Sequence, residues 1–168
     1  TAANLVTVQH PAPVAALGVD AASGIAPHAV QFSDLSTGAI TAWSWNFGDG
    51  SSSTLASPAH VYPTPGTYTV VLTVSGPGGS DTTFAVDLVS AGYPAPMADF
   101  GVDAPSGIAP LAVQFHDECS GMVTSYTWEF GDGASSTLAS PSHTYALPGS
   151  YSVTLRVRGP GGSDERLE

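Results

Sequence analysis

Lysine is absent from this chain of 168 residues, and the three arginines (Arg156, Arg158, Arg166) all lie near its end. With a formal net charge of −11, nothing here neutralises a row of phosphates, which excludes nucleic acid as a partner. The same balance excludes docking on an anionic membrane surface. No apolar run approaches the roughly 20 residues that cross a bilayer as a helix, so no membrane insertion is expected within this segment. The single cysteine, Cys119, rules out an intrachain disulfide and leaves a zinc site short of ligands. No Asn-x-Ser/Thr acceptor occurs. Also missing is any stretch periodic enough to read as a helix.

What is present is a repeat. Shifted by 83, residues 14–85 fall on 97–168 without a gap, with 43 identities in 72 positions. GVDAASGIAPHAVQF (18–32) matches GVDAPSGIAPLAVQF (101–115), and WNFGDG (45–50) matches WEFGDG (128–133). Each copy reads as short alternating runs broken by Gly, Pro, Ser and Asp, the pattern of half-buried strands. In the first copy the expected strands are Val14–Val19, Ala29–Asp34, Ile40–Phe47, Thr54–Leu55, His60–Tyr62, Thr67–Val74 and Thr82–Val89. Ala22–Pro27 is expected to be a turn, and Gly76–Ser80 a hairpin loop. Seven short strands in some 80 residues predict an all-β fold of two tandem immunoglobulin-like sandwiches.

The series WNFGDGSSS, SPAHVY and PGTYTVVLTVSGPGGSD, repeated downstream, closely resembles the PKD (polycystic kidney disease) domain, and the resemblance covers both copies nearly end to end. It implies an extracellular sandwich that binds partners or spaces other domains in surface-layer proteins, adhesins and polymer-degrading enzymes. Asn46 and Glu129 stand where that family usually has Asp.

Candidate sites are few. In Gly48-Asp49-Gly50 and Gly131-Asp132-Gly133 the glycines permit left-handed angles and the Asp accepts from its own turn, so a structural turn is expected. A calcium loop needs about six to eight converging oxygens. Of the loop after the second strand, where some family members bind calcium, only Asp117 and Glu118 remain as candidates, and no metal or cofactor is expected. His60 and His143 share a face with Tyr62 and Tyr145 and read as packed rather than catalytic. No nucleophile–base–acid set recurs and no carboxylate pair flanks a cleft, so no enzyme is expected. Trp45 and Trp128 read as core; Trp43 and Tyr126, nearer the strand start, are candidates for stacking on carbohydrate or collagen.

Carried backwards, the offset aligns Thr1–Pro13 with Phe84–Pro96, so residues 1–9 read as the final strand of a preceding module or a donor strand. Residues 10–89 form the first domain, 90–96 a proline-containing, semi-rigid linker, and 97–168 a second domain lacking its last strand. One reading is head-to-tail assembly, with Asn4, Leu5, Val6, Thr7 and Val8 completing a neighbour's second domain by strand addition. The other is a piece of a longer tandem array. The expected role is a non-enzymatic structural or adhesive module of a cell-surface protein or filament, with protein of the same kind as partner. The alternative is an accessory module of a secreted hydrolase that binds polysaccharide or collagen.

Overall fold

A computed structural model describes residues 8–168. These divide at Gly92/Tyr93 into two compact units, and all the elements described in them are strands. Unit 1 holds β1 (Leu17–Val19), β2 (Ser23–Ile25), β3 (His28–Asp34), β4 (Ala42–Asn46), β5 (Ser52–Ser53), β6 (Ala59–Tyr62), β7 (Gly66–Gly76) and β8 (Gly79–Gly92). Unit 2 holds β9 (Phe100–Val102), β10 (Leu111–Asp117), β11 (Ser125–Glu129), β12 (Ser135–Ser136), β13 (Ser142–Tyr145), β14 (Thr154–Gly159) and β15 (Gly162–Leu167).

Unit 1 sets a three-stranded sheet, β1-β3-β6, over a five-stranded one, β2-β8-β7-β4-β5. The alternation along β7 drives this arrangement: Tyr68, Val70, Leu72 and Val74 point inward, at 9, 0, 0 and 0% exposure. They meet Val30 and Phe32 of β3, Trp45 of β4, Phe47 just after it and Tyr62 of β6, all buried. Each such side chain taken from water contributes about 1.5–3 kcal/mol. Unit 2 repeats the plan with β9-β10-β13 and β12-β11-β14-β15 around Phe115, Trp128, Phe130, Leu155 and Val157.

Several expected boundaries shift for identifiable reasons. The first strand shortens to Leu17–Val19 because side chains take the earlier donors: Ala15 N–H donates to Asp81 Oδ2 (2.8 Å) and Ala16 N–H to Ser36 Oγ (3.0 Å). The fourth sits at Ser52–Ser53 rather than Thr54–Leu55, since Ser53 and Ser52 pair with Trp45 and Asn46 straight after the tight turn. The Leu55 carbonyl instead accepts from Trp45 Nε1 (2.9 Å).

The turn expected over Ala22–Pro27 contains a strand. β2 pairs in parallel with the end of β8, Ser23 opposite Ser90 and Ile25 opposite Gly92. β8 accordingly runs on through Ser90–Gly92, residues expected to be linker. Its pairing with β7 slips by a bulge between Tyr68 and Val70, where Asp87 takes φ +52°. Past the bulge, Val89 (0%) and Ala91 (4%) enter the core opposite Tyr68 and Gly66.

The expectation that the second domain lacks its last strand is corrected. β15 pairs with β14 from Gly159/Gly162 to Thr154/Leu167, so the first half of that strand is in place. At the offset of 83, Glu168 is equivalent to Ala85 of β8. Gly149–Val153, equivalent to the first five residues of β7, correspondingly lie outside β14, and Ser106–Ile108, equivalent to β2, form no strand.

Candidate functional site

The Gly-Asp-Gly turn of unit 1 closes on His60 of β6. Gly48 (φ +85°) and Gly50 (φ +94°) lie in the left-handed region, which L side chains disfavour. A Cβ on Gly48 would also lie 2.4 Å from the Thr69 carbonyl oxygen. Between them, Asp49 Oδ1 accepts from the Ser51 N–H (3.0 Å) and hydroxyl, and Oδ2 accepts from His60 Nε2 (2.7 Å). The two paired side chains are 13% and 16% exposed. Burial pushes the Asp49 carboxyl upward, but the Ser51 and His60 donors outweigh it and hold it down at about 2. The His60 ring stacks on Phe47 (4.3 Å, 5°) and meets Tyr62 edge-on (4.7 Å, 83°). Tyr62 donates to the Phe47 carbonyl (3.1 Å). Side chains and turn thus lock one another.

Unit 2 reproduces this with Asp132 on His143 (2.7 Å), His143 on Phe130 (4.3 Å, 3°) and Tyr145 on the Phe130 carbonyl (3.1 Å). Ala134 replaces Ser51 there, and the Ala134 N–H still donates to Asp132 Oδ1 (3.0 Å). Backbone and His143 donors lower the Asp132 carboxyl. Asp49, His60 and Ser51 are the residue types of a nucleophilic triad, but Ser51 Oγ (3.2 Å) and Asp49 meet the same imidazole nitrogen. A triad needs acid and hydroxyl on opposite nitrogens. The Asp–His pairing itself was not expected from either residue singly. The signal for it is the identical separation of 11 positions in both copies.

Trp43 and Tyr126 are half-buried against the two cores. Trp43 Nε1 donates to Asp34 Oδ2 (2.6 Å), and at the equivalent place Tyr126 donates to Asp117 Oδ2 (2.7 Å). The bond to Asp117, with burial, pushes the Tyr126 phenol up to about 12. Burial raises both carboxyls, and the donors around them, Ser36 and Trp43 at Asp34, Cys119 and Tyr126 at Asp117, more than offset it. Asp117 is thereby committed to Tyr126 and to the Cys119 N–H (3.0 Å), while Glu118 packs over Gly101. Among the described residues, no three His, Cys, Asp or Glu side chains gather as a metal site. Burial pushes the Cys119 thiol up to about 11, and it donates to the Asp99 carbonyl (3.4 Å).

Of the donor candidates, Asn4, Leu5, Val6 and Thr7 lie outside the described residues; Val8 is 87% exposed. Where Val89 and Ala91 fill unit 1, unit 2 has an open groove of about 660 Å³, lined by Val102, Leu111, Val113, Tyr145, Tyr151 and Val153 among others. Beside it Ile108 is 91% and Leu147 71% exposed.

Two sheets around a buried tryptophan, antiparallel except for the β2–β8 pair of unit 1 and with inward alternation on both, define each unit as an immunoglobulin-like β-sandwich. The sequence model of the PKD domain matches residues 10–90 and again 93–168, and the chain belongs to that family. It is 45% identical over 65 residues to the collagenase ColA of Bacillus cereus, covering 36% of this chain and 7% of that protein. To the pre-pro-metalloprotease PrtV of Vibrio cholerae it is 37% identical over 71 residues, 42% of this chain and 8% of the other. The chain therefore spans less than a tenth of these relatives. Among solved structures, the PKD1 domain of that metalloprotease aligns with 48% of this chain and 99% of its own length, at 32% identity and a TM-score of 0.41. No helix of the described residues is long and apolar enough to cross a membrane.

Proposed function

We propose that this chain is a non-enzymatic, extracellular structural module, a tandem of sandwiches that spaces or joins parts of a cell-surface protein or filament. The observation that carries this reading is the use to which the chemically capable side chains are put. Asp49, His60, Asp132 and His143 hold turns, Asp34 and Asp117 hold an indole and a phenol, and Cys119 keeps its proton. Reactive groups consumed by their own fold leave recognition and spacing as the work of the surface. Partners in this reading are sandwiches of the same kind, in neighbouring repeats or neighbouring molecules.

A second reading, an accessory module binding collagen or polysaccharide in a secreted hydrolase, is supported by the likeness to proteins named collagenases. Trp43 and Tyr126 are its stacking residues. Retention on insoluble collagen, chitin and cellulose separates the two. The structural reading expects the chain to wash through all three. Saturable retention that falls at least tenfold in Trp43→Ala or Tyr126→Ala, with the fold intact by circular dichroism, overturns it.

A further inference from the structure

The outer face of the β4–β7–β8 sheet is finished differently in the two units. Where Val70, Leu72 and Val74 of β7 turn into the core, Val71 and Thr73 between them turn out. Two cross-strand rows form there: Asn46 of β4, Val71 and Phe84 of β8 in one, Ser44, Thr73 and Thr82 in the other. The Thr73 and Thr82 hydroxyls bond each other at 2.9 Å. Phe84 is 67% exposed, and Val86, two residues further along the same face, 73%. Asp87, at the bulge, marks the edge of this surface. Neither row carries a charge, in a unit with five aspartates and no Lys or Arg. Unit 2 sets Glu129, Thr154 and Leu167 in the first row and Thr127, Arg156 and Glu165 in the second. There Arg156 Nε donates to Glu165 Oε2 at 2.5 Å. The same sheet thus presents an ion pair in one unit and an aromatic ring among hydroxyls in the other.

We propose that this face of unit 1 docks on the same face of unit 1 in a second copy of the chain. Charge argues for that occupant. Two copies of net charge −11 repel wherever their carboxylates meet, and unit 1 has no Lys or Arg to offset it. The neutral rows are where two such surfaces approach at least electrostatic cost, and a basic partner gains nothing from them. Shape argues the same way. Across the sheet the rows run from large to small, from Phe84 on β8 through Val71 on β7 to Asn46 and Ser44 on β4. A two-fold axis along β7 lays β8 of one copy over β4 of the other. Each Phe84 then covers the smaller Asn46 and Ser44 opposite, and Val71 meets its own counterpart. Packed sheets interdigitate in this way about 10 Å apart. In unit 2 the same operation buries Arg156 and Glu165, and their desolvation opposes it. The contact is isologous, so it closes at a dimer. Only a few strands wide, it falls at the low end of specific interfaces, and association is weak.

This inference rests on the structural-module reading and names the surface through which its partner binds. Sedimentation equilibrium of the full chain, from micromolar to millimolar concentration in low and high salt, tests it. The expected result is a monomer–dimer equilibrium that stops at the dimer and tightens as salt screens the repulsion. Phe84→Glu should weaken the dimer at least about tenfold. Val61→Glu places the same charge at an exposed site on the other sheet and should change it by less than about twofold in high salt. A third variant, Thr73→Arg with Thr82→Glu, gives unit 1 the ion pair of unit 2 at unchanged net charge. It should keep the fold by circular dichroism and lose the dimer. A chain monomeric to millimolar concentration in high salt, a mass that climbs past the dimer, or equal weakening by Phe84→Glu and Val61→Glu overturns the proposal. A dimer that survives the Thr73→Arg, Thr82→Glu pair does so too. Retention of the wild type on cellulose or chitin that Phe84→Glu abolishes makes a neutral glycan the occupant and overturns the second-copy assignment. Retention that falls with Trp43→Ala or Tyr126→Ala instead sinks the structural-module reading and leaves this contact standing.

Discussion

At the scale of single residues, the Gly-Asp-Gly turn shows how two glycines in similar conformations carry different loads. Gly50 needs only its angle, because nothing lies within 4 Å of an added Cβ, whereas Gly48 also sits against the Thr69 carbonyl. Gly50→Ala should cost about 1–2 kcal/mol, the penalty of a left-handed L residue. Gly48→Ala should cost distinctly more, since backbone of β7 must move; urea melts of the two variants give the comparison. Asp49 carries a pH dependence. Its folded pKa, about 2, lies below the 3.8 of the free side chain, so its contribution is complete above about pH 4 and vanishes as pH falls through 2. Allowing for solvent screening, that contribution is on the order of 1–2 kcal/mol. Asp49→Asn should therefore lower stability near neutrality and flatten its decline between about pH 4 and pH 2, seen as converging acid titrations of wild type and variant. The turn itself was legible in the sequence because glycine spacing has a direct conformational meaning. Its closure by His60 was not, because periodicity places the histidine on a face without saying which loop reaches it.

Among the elements, the edges rather than the core escaped the sequence. β3, β4 and β7 announce themselves by alternation, and their inward residues are those the pattern selects. β2 has no such alternation: Ser23-Gly24-Ile25 reads as a turn, and it becomes a strand only because the end of β8 lies beside it. The dependence runs both ways in unit 2, where the equivalents of β2 and of the start of β7 lie outside strands. Amides of Gly149–Ser152 are accordingly expected to exchange with solvent at least about tenfold faster than those of Gly66–Thr69. Equal protection measured by mass spectrometry or NMR on a dilute, monomeric sample would contradict this. Val153 is set apart from that group, since it exchanges backbone hydrogen bonds with Glu168 at 2.7 and 3.0 Å.

For the whole molecule, the repeat was the most legible feature of all, since an ungapped offset needs no structural inference to be seen. The last hairpin was legible only in part. The repeat placed it, but Gly76 and Gly79 pair directly, as do Gly159 and Gly162, so β8 and β15 start earlier than alternation alone suggests. A net charge of −11 on so few cations makes self-repulsion a property of the entire chain. With Asp117 already committed to Tyr126 and Cys119, melting temperature should rise with ionic strength to the same extent for sodium and for calcium salts. A calcium-specific rise of several degrees, reversed by chelator, would show a site formed by other oxygens.

The long β8 also has a mechanical meaning. Its last residues are gripped on both sides, antiparallel by Gly66–Tyr68 and parallel by Ser23–Ile25, and the chain leaves unit 1 directly from that grip. A tension applied to Gly92 along the strand axis therefore loads both rows of hydrogen bonds together, in shear, instead of opening them one at a time. The strand end that completes the fold of unit 1 is also the clamp by which that unit can be pulled.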